Sequence, residues 1–300
     1  MTETVGLVDK VDPTADAIAM RTIWINGEWL PENGAKVSVF DRGLLFSQSV
    51  YEVVPVIGGR LVNYSYHMAR LEGSLSLAGI SDAADWLAVF EEAVARNGLI
   101  EGRVYLQVTG GSSGDRDFLS TVPPCPPNRI VFTQSAPVID VPAAKNGLRI
   151  ILREDKRWKL RTAKTTQLLY AVLMKEEARA AGVDDAWLVE DGVITEATSA
   201  NAHIIDARGV LVSHPVTHGV LPGVTRICAL EIAREMGIAV EERPFTPDEL
   251  FAAREAFVSA ASALVLPVVQ VDGKPIDNGG PGTITSAIRG AYVKRLLAGQ

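Results

Sequence analysis

The sequence is short of cysteine, of long apolar runs and of positive charge. Its 300 residues include two cysteines, Cys125 and Cys228, which cannot build a disulfide framework and do not stand at a metal-binding spacing. No apolar run reaches the length of a membrane span. The formal net charge of -7 argues against nucleic acid or an anionic membrane as partner. The first residues lack a basic start followed by an apolar core, so we expect no secretory signal and a cytoplasmic protein.

Several common catalytic motifs are also missing. There is no GxGxxG after a strand, no GxxxxGK[ST] and no GxSxG, which disfavours dinucleotide, nucleotide-triphosphate and serine-hydrolase sites. The stretch "GGSSG" opens a proline-rich loop rather than a helix, which disfavours a phosphate site there. His214 and His218 in "HPVTH" have a helical spacing, but Pro215 and the lack of a third ligand favour a turn. We therefore expect no metal.

The composition and the local patterns are those of an α+β protein. Hydrophobic residues make up 47% of the chain and charged residues 22%, as in soluble globular proteins. The dipeptides Asn26-Gly27, Gly58-Gly59 and Asp191-Gly192 stand between short apolar runs and predict hairpins, so we expect antiparallel or mixed sheets. The predicted organisation is a weakly ordered extension (1–20), a smaller domain (21–136), a proline-containing linker (137–147) and a larger domain (148–300).

Helix start and stop signals are clearest in two places. The segment "SDAADWLAVFEEAVARNG" predicts a helix that opens on Ser81 or Asp82 as N-cap and ends at Gly98. The segment "TPDEL" predicts a capping box between Thr246 and Glu249, with proline at the first helical position.

Four features of the chain together suit one kind of cofactor. Lys164 ends the segment "RTAK" ahead of a helical run, and Glu196 follows a hairpin beside several hydroxyl groups. Arg70 offers a forked cation, and "LPGVTR" places the backbone amides of 223–225 at a helix start, where an anion is favoured. Each feature alone has an ordinary structural explanation. A cofactor with an aldehyde, a basic ring nitrogen and a phosphate would use all four, and pyridoxal phosphate is such a cofactor.

From about Thr22 to its end the chain resembles the class IV (fold-type IV) pyridoxal-phosphate-dependent aminotransferases. It is most similar to the D-amino-acid transaminase branch. The resemblance is carried by segments that occur in the family's order: "VFDRGLLF", "VYEVV", "HMARL", "VYLQVT", "RWKLRTAKT", "EDGVITEATSAN", "LPGVTR" and "FVSAASALVLPVVQVDGKPI".

The resemblance implies a fold, a reaction and a set of site residues. The expected fold has a smaller N-terminal and a larger C-terminal α/β domain with the cofactor between them, as a homodimer. The expected reaction is ping-pong transfer of the amino group of D-amino acids such as D-alanine to 2-oxo acids. Lys164 would be the Schiff-base lysine, and Tyr51 and Arg116 would bind substrate. The expected cofactor-binding residues are Arg70, Glu196, Thr198, Ser199, Val224, Thr225 and Ser259.

The chain departs from the family pattern at several positions. Ser47, Gln48 and Ser49 stand where a small residue, an acid and a glycine are common. Ala260 and Ala261 replace frequent hydroxyl residues, so Ser259 or Ser262 must supply any side-chain contact there. Gly110 replaces an arginine, and the R-x-H carboxylate trap is incomplete, because "GDRDF" offers Arg116 without a histidine.

These departures keep other functions open. An (R)-selective amine transaminase would use the same machinery without a carboxylate trap. A branched-chain L-amino-acid transaminase and aminodeoxychorismate lyase share the fold, although "VYEVV" fits the D-amino-acid branch better. A non-catalytic pyridoxal-phosphate-binding protein is disfavoured by the presence of both Lys164 and Glu196.

Overall fold

The computed structural model describes residues 20–217 and 219–299. The predicted N-terminal extension therefore lies outside the described residues except for Met20, and so does His218 of the "HPVTH" segment.

The N-terminal part is a six-stranded antiparallel sheet in the order β2-β1-β6-β5-β3-β4. Its strands are β1 (Thr22–Ile25), β2 (Glu28–Pro31), β3 (Ser49–Ile57), β4 (Arg60–Leu61), β5 (Glu101–Thr109) and β6 (Arg129–Ser135). The hairpins predicted at Asn26-Gly27 and Gly58-Gly59 are both confirmed, and all four turn residues have positive φ. Local turn chemistry therefore sets the register of both hairpins.

Three helices accompany this sheet: α1 (Arg42–Phe46), α2 (Tyr64–Ala78) and α3 (Trp86–Arg96). The predicted start of α3 is wrong. The side chain of Asp85, not that of Ser81 or Asp82, caps the helix by accepting from the amide of Leu87. Asp82 instead binds Arg129 of β6 at 2.5 Å, which holds residues 81–85 against the sheet as extended chain.

The C-terminal part is a nine-stranded mixed sheet in the order β12-β11-β10-β13-β14-β7-β8-β9, with β15 beside β14. A further pairing of Asn201 with Glu196 joins β10 to β9 and closes six of the strands into a ring. The first strands are β7 (Leu148–Glu154), β8 (Asp185–Glu190), β9 (Val193–Ala197), β10 (Asn201–Ile205) and β11 (Leu211–Ser213). They are followed by β12 (Val240–Glu242), β13 (Glu255–Ala260), β14 (Leu264–Val271) and β15 (Lys274–Pro275).

The remaining helices are α4 (Pro142–Asn146), α5 (Leu169–Ala180), α6 (Val224–Glu235), α7 (Pro247–Phe251) and α8 (Thr283–Ala298). The capping box of α7 is confirmed in both directions. Helices α6 and α8 pack on the larger sheet through buried apolar side chains, which include Tyr292. By contrast, the apolar residues Leu169, Val172 and Leu173 of α5 are 73%, 53% and 51% exposed. No helix of the described residues is long and apolar enough to span a membrane.

The segment that carries Lys164 is docked onto strand β3 of the smaller sheet. The amide of Tyr51 donates to the carbonyl of Lys164 at 3.0 Å, and the amide of Thr166 donates to Ser49 at 3.1 Å. These bonds bring a segment that follows β7 of the larger sheet against the smaller sheet. Lys164 therefore lies at one side of the space between the two sheets.

Candidate active site

A cavity of about 350 Å³ lies between the two sheets. Nine of the ten residues that the sequence selected as site residues line it: Tyr51, Arg70, Lys164, Glu196, Thr198, Ser199, Val224, Thr225 and Ser259. Arg116 is the exception. Elements distant in the chain thus converge on one volume.

Lys164 is held by its backbone, while its side chain extends into the cavity. Its amide donates to the Ser74 hydroxyl at 3.0 Å, and its carbonyl accepts from Tyr51. Its Nζ lies 4.0 Å from the centre of the Tyr51 ring, close enough for a cation–π contact when the amine is charged. The nearby Lys159 is outside the cavity lining, 73% exposed, and paired with Glu190 at 2.7 Å.

Glu196 is a buried carboxylate with a nearly complete set of donors. Arg157 Nη1 donates to its Oε1 at 2.5 Å, and Asn201 Nδ2 and the Leu221 amide both donate to its Oε2 at 3.1 Å. Burial raises the pKa of Glu196, while the Arg157 guanidinium opposes that rise. A carboxylate accepts about four hydrogen bonds, so with respect to the residues that the structure describes Glu196 retains one acceptor position, on Oε1.

Sequence reasoning missed Arg157. Its Nη2 binds Asp155 Oδ2 at 2.6 Å, so one guanidinium bridges two buried carboxylates beside the cavity. Burial alone would lower the pKa of Arg157. The carboxylates of Asp155 and Glu196 have the larger effect, so the pKa of Arg157 is raised overall. The signal was available, because Arg157 opens the segment "RWKLRTAKT" that carries the family resemblance.

Arg70 is oriented by Glu52, a second residue that the sequence did not single out. Its Nε and Nη2 donate to the two oxygens of Glu52 at 2.8 and 2.7 Å, and its Nη1 donates to the Pro222 carbonyl at 3.1 Å. His67 Nδ1 contacts the same carboxylate at 2.8 Å. Burial raises the pKa of Glu52, but Arg70 and then His67 outweigh it and lower that pKa to about 2. Contacts within the described part of the chain use three of the five N–H groups of Arg70, which leaves two for a ligand.

The start of helix α6 faces the same cavity. Gly223 is its N-cap, no side chain caps the helix, and 223–225 line the cavity. Free amides and the helix dipole favour an anion at this position. A Cβ at Gly223 would lie 1.9 Å from Asn201 Oδ1. Glycine is therefore required, because Asn201 is fixed by its bond to Glu196.

The hydroxyl groups of Thr198, Ser259 and Ser199 differ in whether they already have a hydrogen-bond partner. Thr198 Oγ1 donates to Asp185 at 2.6 Å and is therefore already committed. Ser259 Oγ lies 2.9 Å from Nε2 of His203. Burial lowers the pKa of His203 to about 3, so this ring is neutral near pH 7. Ser199 is exposed at the cavity wall.

Arg116 lies on the loop 111–128, with its guanidinium carbon 5.3 Å from the Phe46 ring and 5.2 Å from the Phe118 ring. The loop is held by the buried Arg42, which donates to the carbonyls of 117, 118 and 119. Arg42 also donates to Gln48 Oε1 at 2.5 Å. The exposed Arg116 therefore belongs to an ordered surface loop of its own chain.

Two departures from the family pattern are physically coupled. A Cβ at Gly110 would lie 2.6 Å from Gln48 Oε1. The Gln48 side chain, fixed by Arg42 and by a bond to the Ala78 carbonyl at 3.2 Å, fills the space beside Gly110. The Gln48 side chain therefore occupies the space that a side chain at residue 110 would need, so the two departures depend on each other.

The residues of the cavity fit pyridoxal phosphate. The uncapped amides of α6 and the two free N–H groups of Arg70 suit a phosphate. The remaining acceptor position of Glu196 suits a protonated ring nitrogen, and Lys164 supplies an amine.

The chain is similar to proteins of one family. The family model for class IV amino-transferases matches residues 49–271. A D-alanine aminotransferase of Bacillus licheniformis is 32% identical over 92% of this chain and 97% of its own. Another, of Staphylococcus aureus (strain N315), is 33% identical over 92% and 98%. The branched-chain aminotransferase of the thermophilic archaeon Thermoproteus uzoniensis, solved with norvaline, superposes with a TM-score of 0.81 at 27% identity, covering 93% of this chain and 95% of that one.

The chain therefore belongs to the class IV aminotransferases, as the sequence predicted. It is an enzyme that moves amino groups between amino donors and oxo acid acceptors, and the α+β fold expected from the sequence is confirmed.

Proposed function

We propose that this enzyme transfers the amino group of D-amino acids such as D-alanine to 2-oxo acids, with pyridoxal 5'-phosphate as its cofactor. The observation that carries the proposal is that Lys164, Glu196 and the start of α6, which has no side-chain cap, line the same cavity. The D-alanine aminotransferases that match nearly the whole chain support the substrate class.

In this proposal each residue has a distinct task toward the cofactor. Arg70 and the amides of Val224 and Thr225 hold the phosphate, with Ser259 beside them. Glu196, kept in place by Arg157, pairs with the ring nitrogen. When bound, the cofactor supplies an electron sink for the negative charge that develops at the substrate α carbon.

Lys164 is the proton carrier. It takes the proton from the α carbon of the donor in the first half-reaction and returns a proton to the α carbon of the acceptor in the second. A positioned general base of this kind accelerates a reaction by roughly two to four orders of magnitude. The amine must be neutral when it accepts the proton. The Tyr51 ring, 4.0 Å from Nζ, limits where the amine can reach.

We propose that the enzyme is a homodimer and that the loop 111–128 lies at its interface. The loop exposes Phe118, Leu119 and Val122 by 75%, 77% and 97%, and exposed apolar clusters of this kind mark interaction surfaces. Arg116 would then serve the partner's cavity, where it pairs with the substrate α-carboxylate. Sedimentation analysis should give a dimer, and Arg116→Ala should reduce activity with D-alanine far more than with (R)-1-phenylethylamine. Equal losses would show that Arg116 is structural.

The second candidate is an (R)-selective amine transaminase. The observation that favours it is the position of Arg116, which is outside the cavity lining of its own chain and has no histidine beside it in "GDRDF". A site with no trap for the α-carboxylate would accept amines that lack one.

A donor panel tests the proposal directly. With 2-oxoglutarate as acceptor, D-alanine should be consumed at a far higher kcat/KM than L-alanine, L-leucine or (R)-1-phenylethylamine. Preference for the amine would establish the second candidate, and preference for L-leucine would establish a branched-chain enzyme. An enzyme reconstituted with cofactor that uses none of these donors would contradict the proposed function.

A further inference from the structure

Arg103 stands out among the cavity residues because of what it does not bind. The guanidinium groups of Arg70, Arg157 and Arg161 also line the cavity, and each has a buried carboxylate partner: Glu52 for the first, Asp155 for the other two. Among residues 20–217 and 219–299, Arg103 forms no ion pair. Its single side-chain hydrogen bond there runs from Nε to Gln134 Oε1, at 3.1 Å.

The smaller sheet directs Arg103 toward the cavity. In β5 the residues alternate between faces, so Val104 and Leu106 are fully buried in the core, while Arg103 and Tyr105 line the cavity. Arg103 pairs with Gln134 of β6, which also lines the cavity. Gln134 is bound through Nε, and neither Nη group has a partner among residues 20–217 and 219–299, so both are available as a fork for an oxyanion.

The position of Arg103 along the strand limits which anion it can reach. Tyr51, next to Lys164 Nζ, pairs with Gln107, and Arg103 lies four residues before Gln107 in β5. At about 3.3 Å per residue its Cα is roughly 13 Å beyond that point. The α-carboxylate is bonded to the carbon that Lys164 deprotonates, so it must remain near Lys164. A carboxylate at the other end of the substrate would lie toward Arg103.

We infer that Arg103 binds the distal carboxylate of dicarboxylic substrates, such as D-glutamate and 2-oxoglutarate, and so sets the enzyme's choice of acceptor. This inference rests on the proposed function and adds a specificity-determining residue to it. An unpaired carboxylate would be costly to bury in the cavity, and Arg103 is the guanidinium in the lining that lacks a carboxylate partner among the described residues.

The test compares two acceptors with D-alanine as donor, using the enzyme loaded with cofactor. For wild type and Arg103→Gln, the ratio of kcat/KM for 2-oxoglutarate to that for 2-oxobutyrate is measured. We expect the substitution to lower this ratio by about tenfold to a hundredfold, the usual effect of losing a charge-assisted contact. Arg103→Lys should lower the ratio less than Arg103→Gln does, because it keeps the charge but not the fork. The control Arg149→Gln, at an exposed arginine of β7 that is outside the cavity lining, should leave the ratio unchanged.

A binding measurement provides a readout that is independent of turnover. Calorimetric titration with glutarate, which carries two carboxylates and cannot react, should show weaker binding to Arg103→Gln by a similar factor, and it decides the question if that variant lacks turnover. An unchanged ratio, an equal loss with both acceptors or unchanged glutarate affinity would overturn the inference. If wild type transfers no amino group from D-alanine to either acceptor, it is the proposed function that fails.

Discussion

Replacing Glu52 by glutamine tests whether the buried ion pair beneath Arg70 organises this side of the cavity. Glu52 has no solvent exposure and binds Arg70 through both oxygens, and it also contacts His67. Glutamine has nearly the same shape but one acceptor oxygen and no charge. The variant therefore leaves the Arg70 charge buried without its counterion.

The magnitude follows from the pKa of Glu52. Burial raises this pKa, but Arg70 and His67 lower it from 4.5 to about 2. Each pKa unit corresponds to about 1.4 kcal/mol, so the ionised carboxylate contributes on the order of 3 kcal/mol to folding. The Arg70 side chain is 9% exposed, so screening by solvent removes little of this contribution. Loss of one partner of a buried ion pair typically costs about 3–5 kcal/mol.

The pH dependence has a definite sign. Because the folded pKa is depressed, the contribution of Glu52 is fully present above the unfolded pKa of 4.5 and is lost as the pH falls toward about 2. Urea unfolding at pH 7 should show Glu52→Gln to be about 3 kcal/mol less stable than wild type. At pH 3 the difference should shrink to about half.

The matched control is Glu92→Gln, which removes an exposed pair with Arg96 and should cost at most about 1 kcal/mol. A Glu52→Gln variant that loses no more stability than this control, or a difference that stays constant down to pH 3, would refute the reasoning.

Three further predictions concern other parts of the site. Glu196→Gln should bind cofactor nearly as well as wild type but react slowly in single turnovers, because an amide cannot keep the ring nitrogen protonated; an unchanged rate would place another acid there. Arg70→Ala should weaken cofactor binding in equilibrium dialysis by about 1.5–3 kcal/mol, or roughly tenfold to a hundredfold, and cofactor retention equal to wild type would remove Arg70 from the phosphate site. The pKa of His203 falls from 6.5 to about 3 by burial, so its unfolded form takes up a proton first and stability drops as the pH falls through this range. His203→Gln should therefore lose less stability than wild type between pH 6.5 and 4 in urea unfolding, and an equal loss would contradict the assignment of a neutral buried ring.

What the sequence predicted well is governed by local chemistry. The turn at Asn26-Gly27 needs positive φ at both residues, 51° and 101°, and this residue pair adopts it readily. The capping box of α7 involves residues three apart. By contrast, Asp82 was an equally good N-cap for α3 by local criteria, but its ion pair with Arg129, distant in the chain, decided the outcome.

The partners of the site residues could not be predicted, because they too are distant in the chain from the residues that they bind. Arg157 and Glu196 are 39 residues apart, and Arg70 and Glu52 are 18 apart on different elements. No periodicity or spacing joins such pairs, and they meet only when the two sheets are assembled. The family resemblance pointed to Lys164 and Glu196, which line the same cavity, because it transfers positions that the tertiary structure has already brought together.

The most direct test of the account is to identify the lysine that binds the cofactor. The enzyme loaded with pyridoxal phosphate is reduced with borohydride, digested and mapped. Lys164 should carry the label and Lys159, which is exposed and paired with Glu190, should not. Lys164→Ala should lose both the label and turnover, whereas Lys159→Ala should keep both. A label on any other lysine, or transamination by Lys164→Ala, would contradict the assignment of the cavity as the active site.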